Sequence, residues 1–208
     1  MMLVENQYVR CATVFAVCFL LAGCSPPNAN STSSGQIASQ EWTSLFDGKS
    51  MEGWTATDNN PVGSQWQVIE GDMVLTAGGG GDIVTVDTFA DFELKLEWKI
   101  SEKGNSGIFY RVAGDGDWVW KTGVEYQILD DRNHPDANKK FKVLEQSNGE
   151  WNFHKEGFKK NRTVGSLYDL IEAENLNEER SKRPVYPETW HRARIIVNNG
   201  HVEHWLDN

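Results

Sequence analysis

Residues 91–112 read DFELKLEWKISEKGNSGIFYRV, and residues 123–131 read GVEYQILDD. In the first stretch Phe92, Leu94, Leu96, Trp98 and Ile100 alternate with Glu93, Lys95, Glu97 and Lys99. A period of two puts apolar side chains on one face of an extended chain and charged ones on the other. That is the pattern of a half-buried β-strand. Gly104, Asn105, Ser106 and Gly107 supply a turn, and the alternation resumes at Ile108. In the second stretch Val124, Tyr126 and Ile128 share one face, and Glu125, Gln127 and Leu129 share the other. The run ends in Asp130-Asp131, with His134-Pro135-Asp136 just beyond. Arg111 points away from the face of Ile108, Tyr110 and Val112. Neighbouring strands are therefore expected to present acid, amide and guanidinium groups on one side of a sheet.

The surrounding chain has 208 residues, enough for one all-β domain with a sizeable core. Its formal net charge of -10 opposes binding to a phosphate backbone, and no basic patch interleaved with aromatics argues otherwise. Nucleic acid is thus not an expected partner. Nine Trp, nine Phe and five Tyr suit strand packing, and some of these rings are of the kind that stacks on the apolar face of a sugar. All three cysteines, Cys11, Cys18 and Cys24, lie early. Nothing after Cys24 can form an internal disulfide, act as a thiol nucleophile or ligate zinc through sulfur.

The early segment reads as an address. Arg10 precedes an apolar run over residues 11–22, too short to span a bilayer comfortably and matching the apolar region of a secretory signal. It ends Leu21-Ala22-Gly23-Cys24, the pattern of a bacterial lipobox, in which cleavage before the cysteine leaves a thiol to be lipidated. The expectation is a lipoprotein signal over residues 1–23 and lipidation at Cys24. The product would be exported and held on a bilayer of the cell envelope without crossing it. Residues 24–40, rich in Ser, Asn, Pro and Gly, read as a flexible tether, and residues 41–208 as the folded domain.

Within that domain the spacing predicts a short strand over residues 41–46 and a hairpin of residues 65–69 and 72–76 about Glu70-Gly71. A further strand is predicted over residues 83–86. The four glycines at 78–81 are followed by Asp82 and Ile83, not by the Lys and Ser or Thr of a phosphate cradle, so they read as a turn. Residues 139–163 are polar with scattered aromatics and read as a long loop. Residues 170–182 read as a short helix. Residues 190–197 and 201–206 form a second hairpin about Asn198-Asn199-Gly200. The chain stops just after that hairpin, and one or more closing C-terminal strands are expected beyond it. Many short strands joined by glycine turns predict a β-sandwich or jelly roll.

Several of these segments resemble one family in order and spacing. They are Leu45-Phe46-Asp47-Gly48 through Gly53-Trp54, Gly80-Gly81-Asp82, Asp91-Phe92-Glu93-Leu94, Glu97-Trp98 and Gly104-Asn105-Ser106-Gly107-Ile108. Glu125 to Asp131, His134-Pro135 and Val202-Glu203-His204-Trp205-Leu206 complete the set. Together they are similar to the 3-keto-disaccharide hydrolase domain, also called domain of unknown function 1080, over nearly all of residues 41–208. The resemblance implies a concanavalin-like jelly-roll sandwich, an exported location and action on 3-keto-glycosides. The chain departs from the family's usual pattern at His191, where Asn is common, and in ending before the family's further strands.

A 3-keto group acidifies the neighbouring C2 proton, and its removal gives an enolate that can expel the C1 substituent. Such chemistry needs a base, a donor or cation at the developing oxyanion, and an acid for the leaving oxygen. Glu125, His134 and Asp131 are the candidate bases or acids, with His204 as a further one. Arg111 is a candidate for oxyanion stabilisation. Asn105, Gln127 and Tyr168 are candidate substrate-binding residues. Asp131 and His134 are also candidate ligands for a divalent cation, although their cluster matches no metal loop of known spacing. Each residue has a plainer reading. Glu125 with Arg111 would make a cross-strand ion pair, Asp131 a turn cap, His134 a surface turn residue, and His204 an inward-packed ring. Ser106 misses the nucleophile-elbow context, so serine hydrolysis is not expected. A glycosidase using two carboxylates, or a carbohydrate-binding surface lipoprotein without catalysis, would show different geometry: a carboxylate pair at fixed separation, or a shallow aromatic platform.

Overall fold

The computed structural model describes residues 7–10, 42–113, 118–138, 140–147, 150–158, 160–174, 179 and 182–207. In chain order the strands are β1 (Gln7–Arg10), β2 (Trp54–Ala56), β3 (Trp66–Ile69), β4 (Asp72–Leu75), β5 (Ile83–Thr85), β6 (Phe92–Ile100), β7 (Asn105–Tyr110), β8 (Val124–Leu129), β9 (Lys140–Ser147), β10 (Glu150–Phe158), β11 (His191–Asn198) and β12 (His201–Leu206). One short helix, α1 (Val119–Thr122), joins β7 to β8, and 3-10 turns occupy Pro135–Asn138 and Lys160–Arg162. No helix among the described residues is long and apolar enough to cross a membrane.

Six strands form one sheet in the order β12-β11-β6-β1-β4-β3, and β7 pairs with β8 in a second, two-stranded layer. The two layers close on each other because both keep their alternation. Leu96, Trp98 and Ile100 of β6 and Ala193, Ile195 and Val197 of β11 are buried against Tyr110, Tyr126 and Ile128 of β7 and β8. Burying large side chains from both layers is what holds a sandwich together, at about 1.5–3 kcal/mol for each fully buried aliphatic or aromatic side chain. The fold is the all-β sandwich that the alternation predicts, of concanavalin-like jelly-roll type.

Two hairpins turn on left-handed pairs. Glu70 and Gly71 have φ of 53° and 87°, and Asn199 and Gly200 have 46° and 84°. Positive φ at both central residues twists a two-residue loop in the sense the strands need.

Four local expectations change. Residues 42–46 are not a strand. The Leu45 carbonyl accepts from the Trp54 indole and the Phe46 carbonyl from the Ser44 hydroxyl, so side chains take acceptors that a neighbouring strand would use. Residues 140–158 are not a loop but the β9–β10 hairpin, with Ser147 opposite Glu150. The described part of residues 170–182 holds no α-helix: Asp169 is left-handed at φ 60°, and the N–H groups of Leu170 and Ile171 both turn back to the Leu167 carbonyl. The expected turn over Gly104 to Gly107 ends sooner: β7 begins at Asn105, and Asn105, Ser106 and Gly107 already pair with Leu129, Ile128 and Gln127. In addition, Gln7–Arg10, part of the expected leader, lies here between β4 and β6, antiparallel to both. Cys24 and the tether fall outside the described residues.

Candidate active site

The site grows from the face of β8 that turns away from the core. Tyr126 and Ile128 point into the sandwich, so Glu125 and Gln127 take the opposite side, joined there by Asn105 and Gly107 of β7. Gln127 is buried, and its Nε2 donates to Asn105 Oδ1 at 3.1 Å. This amide pair locks the floor of the site. Asn105 and Gln127 are therefore together, as expected, and are engaged with each other.

Glu125 leans diagonally across β7 over Gly107. A carbon placed on the Gly107 Cα would fall inside the Glu125 side chain, 2.6 Å from both Cγ and Cδ. Burial pushes the Glu125 carboxyl up to about 8, and the negative charge of nearby Asp82 adds to the effect. Both causes penalise the ionised form. Asp82 sits just before β5, and its own carboxyl is raised by desolvation. In the sequence Asp82 belongs to a glycine turn and to the Gly80-Gly81-Asp82 segment. No spacing rule links it to Glu125, and only the fold brings its charge close enough to act on that carboxyl.

The segment after β10 runs alongside β8. The Gln127 N–H donates to the Ser166 carbonyl at 3.2 Å, the Gly165 N–H to the Gln127 carbonyl at 2.9 Å, and the Tyr168 N–H to the Glu125 carbonyl at 3.0 Å. Tyr168 is thereby set beside Glu125. Its hydroxyl pKa is raised, first by desolvation, with the charge of Glu125 among the smaller causes. Arg162 grips Asp169 through two bonds of 3.0 and 2.7 Å and lies 5.2 Å from the Tyr168 ring centroid. A bidentate guanidinium–carboxylate fork is geometrically specific. It closes the loop that carries Tyr168, and neither side chain stands out in the sequence, because the pair exists only once that loop has closed.

The other predicted residues go elsewhere. Arg111 leaves the strand in a left-handed conformation, φ 57°, and its Nη2 lies 3.7 Å from Asp91 Oδ1, so its ion pair is with Asp91 and not across the strands with Glu125. Asp131 is fully buried. Its Oδ1 accepts from the Val164 N–H at 3.0 Å, and its carbonyl accepts from Arg183 at 3.2 Å. That anchors residues 163–166; the turn before Pro135 is capped instead by Asp130, which accepts from the N–H groups of Arg132 and Asn133. His134 Nδ1 accepts the Asp136 N–H at 3.1 Å. Among the described residues no three His, Cys, Asp or Glu side chains gather as a cation site, and Asp131 and His134 are each engaged by backbone N–H groups.

His204 lies on the core side. Its Nδ1 is 3.1 Å from the Gly165 carbonyl and its Nε2 2.9 Å from the Tyr110 hydroxyl, with the ring against Tyr110 and Tyr126. Desolvation lowers its pKa, so the neutral ring donates from Nδ1 and accepts from the tyrosine at Nε2. It braces the loop from behind and does not meet the carboxylate.

A jelly-roll layer that carries a perturbed carboxyl beside an amide pair defines the class: a concanavalin-like domain with a candidate site on the outer face of β7 and β8. Residues 41–208 match the 3-keto-alpha-glucoside-1,2-lyase-like domain, and the chain belongs to that family. It is 33% identical to a 3-keto-disaccharide hydrolase of Bacteroides thetaiotaomicron, an alignment covering 78% of this chain and 54% of that protein. The chain thus spans about half the length of that curated relative. A crystal structure from Parabacteroides distasonis, of a candidate glycosyl hydrolase, superposes with a TM-score of 0.61 at 32% identity, covering 80% of this chain and 68% of the other.

Proposed function

We propose that the domain cleaves 3-keto-glycosides by removing the proton at C2, with Glu125 as the base. The observation that carries this is the Glu125 carboxyl, held over Gly107 beside Asp82 with its pKa raised to about 8. A carboxylate made this basic is a stronger acceptor for a carbon acid than an ordinary one, while still accessible near neutral pH. Tyr168, fixed beside it, is the donor for the oxyanion that develops at C3. In the step, the C2–H pair becomes the C2–C3 double bond of the enolate. Its collapse breaks the C1–O bond, the pair leaves on the aglycone oxygen, and that oxygen is protonated. Addition of water to the resulting unsaturated ketone would make the net change a hydrolysis. This accommodates both the lyase-like name of the family and the hydrolase name of the relative.

The test is turnover of a 3-keto-disaccharide by Glu125→Gln, which keeps the shape and removes the base. Release of aglycone at the wild-type rate would remove Glu125 from the mechanism. A non-catalytic sugar-binding reading is favoured by one observation, the exposure of Trp118 and Trp120 beside α1 at the end of the β7–β8 layer. It predicts sugar binding without product in the wild type. We also propose acylation at Cys24 as the tether to a cell-envelope membrane, supported by the Leu21-Ala22-Gly23-Cys24 pattern. A labelled fatty acid should enter the wild type and not Cys24→Ala; equal label in both, or none in either, would exclude this anchor.

A further inference from the structure

We infer that Gly107 is a positioning residue whose missing side chain seats the Glu125 carboxylate, an inference that rests on the base reading of Glu125. Gly107 lies inside β7, opposite Gln127 and diagonal to Glu125. Glycine weakens a strand interior, and there it marks a place where another group approaches closely. The backbone gives no other reason for it: Gly107 is not among the glycines with positive φ. The space it leaves is taken first by Glu125. The three nearest atoms to an added carbon, Oε1, Cδ and Cγ, all belong to that side chain. Those atoms belong to a flexible side chain, so an added methyl group is relieved by moving Glu125, not by moving the sheet. Displacing the carboxylate takes it off its track toward the substrate and changes both its burial and its distance from Asp82.

The test compares Gly107→Ala, Glu125→Asp, Glu125→Gln and the double variant Gly107→Ala/Glu125→Asp with the full-length wild type. The substrate is a chromogenic aryl 3-keto-α-glucoside. Gly107→Ala should lose about 100-fold in kcat with KM changed less than a few-fold, the size of a misplaced reacting group. Its pH–rate midpoint should fall toward the ordinary carboxylate range, which a merely structural defect would not produce. Glu125→Asp retracts the carboxylate by one methylene, so the alanine methyl has little left to displace. The double variant should then be no worse than Glu125→Asp alone. Full activity in Gly107→Ala with an unmoved pH profile overturns the inference, and so do losses that multiply in the double variant. Should Gly107→Ala fail to fold, a folded double variant supports the inference and an unfolded one contradicts it. Failure of the underlying reading is separately visible, because Glu125→Gln would then retain turnover.

Discussion

Glu125 and His204 are two titratable side chains within reach of the same strand, and the protein treats them in opposite ways. His204 enters the core side, where the Gly165 carbonyl and the Tyr110 hydroxyl meet both ring nitrogens and two tyrosine rings pack against it. Glu125 turns to the outer face, over a glycine and beside the like charge of Asp82. Both are desolvated, and desolvation favours the neutral form of each, lowering the imidazole and raising the carboxyl. The difference lies in the neighbours. A histidine whose nitrogens are both spoken for is a strut, whereas a carboxylate crowded by a second carboxylate is a group poised to take a proton.

The largest effect that could break this comparison is on catalysis. Glu125→Gln is expected to lower kcat against a 3-keto-disaccharide by 10²–10⁴-fold, the usual contribution of a positioned base, whereas His204→Ala should change kcat only a few-fold. Equal losses in a steady-state assay would erase the distinction. Next comes Tyr168→Phe, which removes the proposed oxyanion donor and should lower kcat by about 10²-fold with little change in KM; a change confined to KM would make Tyr168 a binding residue only.

Stability should reverse the order. His204→Ala loses two hydrogen bonds and its ring packing and should destabilise by about 2–3 kcal/mol in denaturant titration. Glu125 acts on stability through pH. Its folded pKa of about 8 lies above the ordinary carboxyl value of 4.5 expected in the unfolded chain, so between those limits the folded state holds a proton that the unfolded state does not. Stability then falls as pH rises through that window. Glu125→Gln should flatten the fall, by a few kcal/mol across the window, in melts at successive pH values. An unchanged slope would mean that the carboxyl is not held in its protonated form. The smallest effect concerns β1: removing residues 1–23 takes Gln7–Arg10 from between β4 and β6 and should lower the melting temperature by a few degrees. An unchanged melt would show that this strand adds nothing to the sheet.

The same contrast explains what could be read from the residues. The alternation of Phe92 to Ile100, and of Val124 to Leu129, is a local signal of period two, and β6 and β8 appear where it puts them. The hairpins at Glu70-Gly71 and Asn199-Gly200 rest on backbone chemistry equally local. Residues 140–158 form a hairpin although their polar composition reads as a loop, because strand pairing there is a tertiary outcome that composition does not report. In the site, Glu125, Gln127 and Asn105 were legible because one face of one strand pair determines them. Tyr168 was legible as a residue type, and its place beside Glu125 depends on a backbone hydrogen bond across 43 positions of sequence, which no periodicity reports. Asp82 and the Arg162–Asp169 clamp likewise exist only through tertiary packing. Arg111 was misplaced because the alternation was carried past Tyr110, where the strand in fact ends.

The most direct measurement is the pH dependence of kcat/KM for the wild-type protein on a 3-keto-glucoside, beside Glu125→Gln. The account predicts a rate that climbs with pH to a midpoint near 8 in the wild type, and no such rise in the variant. A wild-type rate that is flat or falling from neutral to mildly alkaline pH would contradict a proton-accepting Glu125.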